Sequence, residues 1–423
     1  MMEYSHKQLF SLFTLSLALF VLLLSGQTVG IQAEARVHRH HHYEKLFVFR
    51  DSYVDTGNSR KNISNSWKIP YGMTFPKKPV GRWSDGRVLT DYVGKMGIQA
   101  EARVHRHHHY EKLFIFGDSY VDTGNSRKDI SNSWKVPYGM TFPQKPAGRW
   151  SDGRVLTDYV AQFLGLKSPL PYEFRKEAPP QYLKYGMNFA YGGSGVFKTL
   201  APYPNMTTQI NFLEQLIEEK VFTLSDLSKS VALVSVAGND YRYYLANNGT
   251  AEGIPSFIAS VVNQTIINLI RLQKLGVKKI VVDALQPLGC LPEVTVANSF
   301  QHCNSTANNL AVFSNNLLNQ SVTKLNQEAK DHSTFVILDL YKSFLSVLNN
   351  PPASNTTNLL KLCCAGVSSE YFCSNVDENN VKKYVVCENV QAAFFWDTFH
   401  PTQAGWKAVY NNLQTNDLRR LKY

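Results

Sequence analysis

The sequence predicts an α/β domain from about residue 103 onward, a parallel sheet wrapped by helices on both faces. Three observations lead there. Short apolar runs recur at Leu113–Phe116, Val231–Val236, Lys279–Asp283 and Phe335–Leu340, with a weaker one near Tyr185–Ala190. Amphipathic stretches of helical length separate them, at Gly153–Leu164, Thr208–Lys220, Ser256–Leu275 and Thr306–Ala329. Strands spaced by helices cross over rather than hairpin, which gives parallel pairing. Finally, the first run ends in Gly117-Asp118-Ser119, a sharp turn followed by an acid and a hydroxyl at a strand's carboxyl end. That end of an open α/β sheet is where ligands bind.

Each element follows from its residues. Leu113-Phe114-Ile115-Phe116 reads as a strand buried on both faces. The 256–275 stretch is expected to turn Phe257, Val261, Ile267 and Ile270 toward the sheet and to stop at Gly276. A last helix is expected after Pro401, carrying Trp406 and Val409 inward.

The chain has 423 residues, enough for one large domain with a full core. His6 and Lys7 precede an apolar run from Leu9 to Leu24, and Ala33-Glu34-Ala35 follows. Residues 1–35 therefore read as a secretory signal, with cleavage nearer Gly26 or Gly30 as an alternative site. The competing reading is a membrane anchor, but the run is short for a span and contains Ser11, Thr14 and Ser16. The expectation is an extracellular protein without stable membrane insertion.

Two features agree with secretion. The six cysteines, Cys290, Cys303, Cys363, Cys364, Cys373 and Cys387, suit disulfides in an oxidising compartment, although six allow 15 pairings. Cys363 and Cys364 are adjacent and are expected to reach different partners. Glycosylation sequons occur at Asn62, Asn205, Asn248, Asn263, Asn304, Asn319 and Asn355. The net charge of +11 invites an anionic partner, yet the first 97 residues carry +6 of it. A cell-wall polymer could attract that basic portion; nucleic acid is not an expected partner.

Residues 30–93 recur almost unchanged as 97–160, an offset of 67. Solenoid repeats diverge and occur at least three times, so this is a duplication and not a repeat architecture. Residues 36–102 are expected to be a poorly ordered partial copy of the domain start, and 103–423 the working domain. The first copy has Arg50 where the second has Gly117, a poor exchange if the turn needs a positive φ. The runs His40–His42 and His107–His109 read as a solvated basic linker, with metal binding as the alternative.

Ser119 is either a nucleophile or a helix cap, so the question is which base serves it. Of 12 histidines, nine lie in the signal or the histidine-rich runs, leaving His302, His332 and His400. His400 has Asp397 three residues earlier, close enough to orient an imidazole through its second nitrogen. The Gly192-Gly193-Ser194-Gly195 loop offers bare backbone N–H groups to an oxyanion. It lacks the Gly-Lys-Ser/Thr ending of a phosphate loop. Asn239, at the end of another strand, adds an amide donor or is an ordinary turn residue.

Phe116-Gly117-Asp118-Ser119, the Gly192 loop, Asn239-Asp240 and Asp397-x-x-His400 resemble, in order, the four blocks of the GDSL esterase/lipase (SGNH hydrolase) family. The resemblance runs from 112 to about 415 and is closest to the plant secreted branch. Tyr120 replaces that family's leucine, and Ala237 takes the first glycine of its third block. The resemblance implies a flavodoxin-like three-layer α/β/α sandwich and a carboxylic-ester hydrolase needing neither metal nor cofactor. It implies Ser119 as nucleophile, His400 as base and Asp397 as its orienter. The implied oxyanion donors are the Ser119 and Gly192 N–H groups and the Asn239 side chain. Lipid or other small acyl esters are the implied substrates. Acetylated wall polysaccharide is an alternative substrate, and a catalytically silent binding protein is an alternative function.

Overall fold

In the computed structural model, β1 (Lys112–Gly117) lies inside a six-stranded sheet of order β2-β3-β1-β4-β5-β6. The other strands are β2 (Leu170–Pro171), β3 (Gly186–Asn188), β4 (Ser230–Ser235), β5 (Lys279–Ala284) and β6 (Phe335–Asp339). Every pairing is parallel. The structure describes residues 55–86, 88, 110–236, 238–329, 333–351 and 357–422. The apolar run 9–24, both histidine runs, Arg50, His332 and Asn355 lie outside the described residues.

The helices are α1 (Leu156–Phe163), α2 (Met206–Glu218), α3 (Leu224–Ser228), α4 (Gly238–Ala246), α5 (Ile254–Lys274), α6 (Pro292–Thr295), α7 (Ser305–Glu328), α8 (Leu340–Leu348) and α9 (Gln403–Thr415). Side chains alternate across the sheet as strand geometry requires. Phe114 and Phe116 join Met187, Val234 and Val282 in one core with residues of α2, α5 and α7. Leu113 and Ile115 join Leu233, Val281 and Leu338 in a second core with residues of α1, α8 and α9. The expected three-layer arrangement is present.

The expected facing of the 256–275 helix holds at Val261 and Phe257 and is corrected at Ile267. The buried stripe of α5 is Ile254, Ile258, Val261, Thr265, Leu269 and Leu272, whereas Ile267 is exposed. Steps of three and four residues keep one helix face in register, and a six-residue step from 261 to 267 leaves it. Trp406 and Val409 of α9 are buried as expected. Thr402 caps that helix by accepting the Gly405 N–H.

Three disulfides, Cys290–Cys303, Cys363–Cys387 and Cys364–Cys373, use all six cysteines. The adjacent pair does reach different partners. β7 (Cys364–Gly366) and β8 (Tyr384–Val386) form a small antiparallel ribbon beside the last two bridges. Among the described residues, no helix is long and apolar enough to cross a membrane.

The chain divides into two compact units, Met1–His105 and Arg106–Tyr423. In the first, Asp55 accepts the Gly57 and Asn58 N–H groups, and the Trp67 indole donates to the Ser59 carbonyl. The second unit repeats these bonds at Asp122, Gly124, Asn125, Trp134 and Ser126. Thus the described part of the first copy has its own hydrogen-bonded loop structure.

Candidate active site

The site forms where strand order reverses: β1 has β3 on one side and β4 on the other, and the loops after all three meet. Gly117 makes the turn possible. Its φ is +142°, and a Cβ there would fall 2.0 Å from the Ser235 carbonyl oxygen of β4. The buried Gln209 amide clasps both of its backbone groups, at 2.7 Å and 2.9 Å. Ser119, two residues on, is thereby held at the edge of the sheet.

His400 arrives on a tight loop. The Phe399 and His400 N–H groups donate to Asp397 Oδ1, both at 2.9 Å, and the Trp396 N–H donates to the His400 carbonyl at 2.7 Å. This geometry turns the imidazole back on its own carboxylate. His400 Nδ1 lies 2.8 Å and 2.9 Å from the two Asp397 oxygens, and Nε2 lies 2.7 Å from Ser119 Oγ. Asp397 and His400 are buried, and Ser119 is half-buried. Burial alone would raise the Asp397 carboxyl, but the His400 charge and hydrogen bonds from His400, Phe399 and Tyr138 hold it below its usual value. The structure thus brings together Ser119, His400 and Asp397, the three residues singled out from the sequence. Of the other histidines, His302 lies exposed beside Asn298.

The groups expected as oxyanion donors differ in how they are engaged. The Gly192 N–H is already used: it donates to Asp122 Oδ2 and Ser126 Oγ, both at 3.0 Å. The next residue, Gly193, lines the same cavity as Ser119 and His400, and its N–H has no acceptor among the described residues. The Ser119 N–H has none either. Asn239 Nδ2 donates to the Ser194 carbonyl at 3.0 Å and lies 3.3 Å from Asp118 Oδ2. Asp240 accepts the Val196 and Phe197 N–H groups, so the Asn239-Asp240 pair pins the glycine loop. Burial pushes Asp118 up to about 7 and Asp240 up to about 6.

A cavity of about 470 Å³ opens over Ser119 and His400. Its walls are largely aliphatic, including Val236, Ile254, Ile258, Leu285 and Leu310. That size suits a small-molecule substrate. Two residues that sequence reasoning missed complete the setting. The Tyr138 phenol donates to Asp397 Oδ2 at 2.7 Å, and the Trp150 ring stacks on His400 at 5.2 Å. Both lie in the duplicated block, more than two hundred residues from the histidine, and no local motif marks them.

The sequon asparagines are also placed. Asn62, Asn248, Asn263, Asn304 and Asn319 are exposed, and Asn205 is half-buried as the cap of α2.

Comparisons with known proteins give the class to which this fold and site belong. The model of the GDSL-like lipase/acylhydrolase family matches residues 113–413. GDSL esterase/lipase At5g03610 of Arabidopsis thaliana is 56% identical over 317 residues, covering 73% of this chain and 88% of the relative. GDSL esterase/lipase At3g09930 of the same plant is 54% identical over 308 residues, covering 71% and 87%. Among solved structures, the acetylxylan esterase Axe2 from Geobacillus stearothermophilus matches at 14% identity and a TM-score of 0.32, covering 74% of this chain and 94% of its own. The chain belongs to the GDSL-like lipase/acylhydrolase family, and it is a carboxylic-ester hydrolase.

Proposed function

We propose that the chain is a secreted esterase that cleaves lipid or other small acyl esters by a Ser119–His400–Asp397 acyl-enzyme mechanism. The observation that carries this reading is the continuous hydrogen-bonded line from Ser119 Oγ through the His400 ring to the Asp397 carboxylate. Ser119 Oγ attacks the ester carbonyl as His400 Nε2 takes its proton, and Asp397 stabilises the imidazolium. The negative charge on the carbonyl oxygen is met by the Ser119 N–H, by the Asn239 amide as it exchanges its long 3.3 Å bond to Asp118 for the oxyanion, and by the Gly192–Gly193 turn. Gly193 supplies the N–H there, since that of Gly192 is engaged. His400 returns the proton to the leaving alkoxide. It then activates water, which releases the acid and restores the serine.

The aliphatic walls support an acyl chain longer than acetyl as the preferred group. The three disulfides and five exposed sequons support secretion and glycosylation. Residues 1–35 are the cleaved leader in this reading, and the first copy takes no part in the chemistry. The test is hydrolysis of p-nitrophenyl acetate, butyrate and palmitate by the secreted protein beside Ser119→Ala and Ser52→Ala. Activity lost only with Ser119→Ala, and fastest on butyrate or palmitate, is the expected result. Full activity in Ser119→Ala refutes the mechanism, and acetate as the best substrate refutes the acyl preference.

A further inference from the structure

We propose that Tyr138 is a positioning residue: its phenol fixes the Asp397 carboxylate, and through it the catalytic imidazole. The two carboxylate oxygens are held differently. Oδ1 accepts two backbone N–H groups of its own loop, at Phe399 and His400, as well as His400 Nδ1. Oδ2 accepts from His400 Nδ1 at 2.9 Å and from the Tyr138 phenol at 2.7 Å. Without that phenol, Oδ2 would keep only the histidine as donor in a site walled by aromatic rings. Tyr138 stands edge-on to Trp150 at 5.8 Å and to Trp396 at 6.0 Å, and it is buried. Burial and the Asp397 charge raise the phenol well above its ordinary value, so it remains a neutral donor.

The segment carrying Tyr138 is moored beside the histidine. Gly139 and Thr141 donate to the Ser151 and Asp152 carbonyls. Ser151 Oγ then donates to the Pro401 carbonyl at 2.9 Å, and Asp152 Oδ1 accepts the Gln403 N–H at 2.7 Å. One loop therefore holds the orienting carboxylate with Tyr138 and covers the imidazole face with Trp150. Other polar and charged groups around His400 come from three directions. Asp118 flanks Ser119, the Tyr120 hydroxyl donates to the Phe399 carbonyl, and Arg242 sits over the Phe399 ring while paired with Glu293. Removing the Tyr138 hydroxyl alters none of them directly. It concentrates charge on Oδ2, which favours the protonated imidazole.

This inference rests on the hydrolase reading of the same site. The experiment measures kcat and KM on p-nitrophenyl butyrate from pH 5 to 9 for the full secreted chain. The variants are Tyr138→Phe, Asp397→Asn, their double and Ser119→Ala. Tyr138→Phe is expected to lower kcat about tenfold with little change in KM, and to raise the acid-limb midpoint by about half a unit or more. In the Asp397→Asn background the same substitution is expected to cost less than about twofold, because its route to the histidine is gone. Tyr138→Leu, equally without a donor, replaces the Phe variant if that one is not secreted, and the same midpoint shift is expected. An unmoved midpoint, or equal losses in both backgrounds, overturns the positioning role while leaving the hydrolase intact. A fully active Ser119→Ala instead overturns the hydrolase reading itself.

Discussion

Replacing Gly117 by alanine is expected to remove both stability and activity, and the reason is geometric. At φ +142° the new Cβ lies 2.0 Å from the Ser235 oxygen and 2.8 Å from its carbonyl carbon. A backbone conformation that L-residues avoid costs about 1–3 kcal/mol. Relief of the clash requires β1 and β4 to part where Gly117 is registered with Ser235, in the middle of the sheet. Overpacking of that kind adds about 1–3 kcal/mol. The sum, about 2–6 kcal/mol, is a large part of the 5–15 kcal/mol typical of a folded domain. Ser119 is two residues away, so whatever remains folded should carry a displaced Ser119 hydroxyl. Urea unfolding followed by tryptophan fluorescence, together with kcat/KM on p-nitrophenyl butyrate, measures both effects. A Gly117→Ala variant with the parent's midpoint and rate would refute the claim that this turn needs a bare backbone.

Other features of the site and its supports are open to the same kind of test. Asp118, raised to about 7 from 3.8 by burial, binds more protons folded than unfolded between those values. Its contribution is fully present below about pH 4 and is lost as pH rises through about 7. Asp118→Asn should therefore gain stability over the parent from pH 5 to 8, by at most about 4 kcal/mol, as read from urea midpoints. The Cys363–Cys387 bridge closes a 24-residue separation, and the Cys363 and Cys364 N–H groups hold the Phe395 and Trp396 carbonyls beside Asp397. Cys363→Ser/Cys387→Ser is expected to lose about 3 kcal/mol and most activity, measured by melting and by rate. Ile258→Trp, filling the cavity, should slow palmitate ester hydrolysis far more than acetate hydrolysis, which a chain-length series reads directly.

Much of this was legible before the fold was known. The apolar runs announced β1, β4, β5 and β6 because a strand buried on both faces must be continuously apolar. The Asp397-x-x-His400 spacing was legible because a three-residue step lets one carboxylate bond both backbone and imidazole. β2, two residues long, carries no periodic signal. On α5 Ile267 departs from the expected facing, because it looks as apolar as the residues that do face the sheet. Gly192 and Gly193 are indistinguishable as letters; only the Asp122 and Ser126 bonds show which N–H is engaged. Tyr138 was invisible because its partner is 259 residues away.

The central claim is that Ser119 becomes the acylated atom. The direct measurement is reaction of the secreted protein with a fluorophosphonate ester, followed by intact mass and peptide mapping. One adduct per chain, on Ser119, forming as activity is lost and absent from Ser119→Ala, is the predicted result. An active protein that takes no adduct, or takes it at Ser52, would contradict the account.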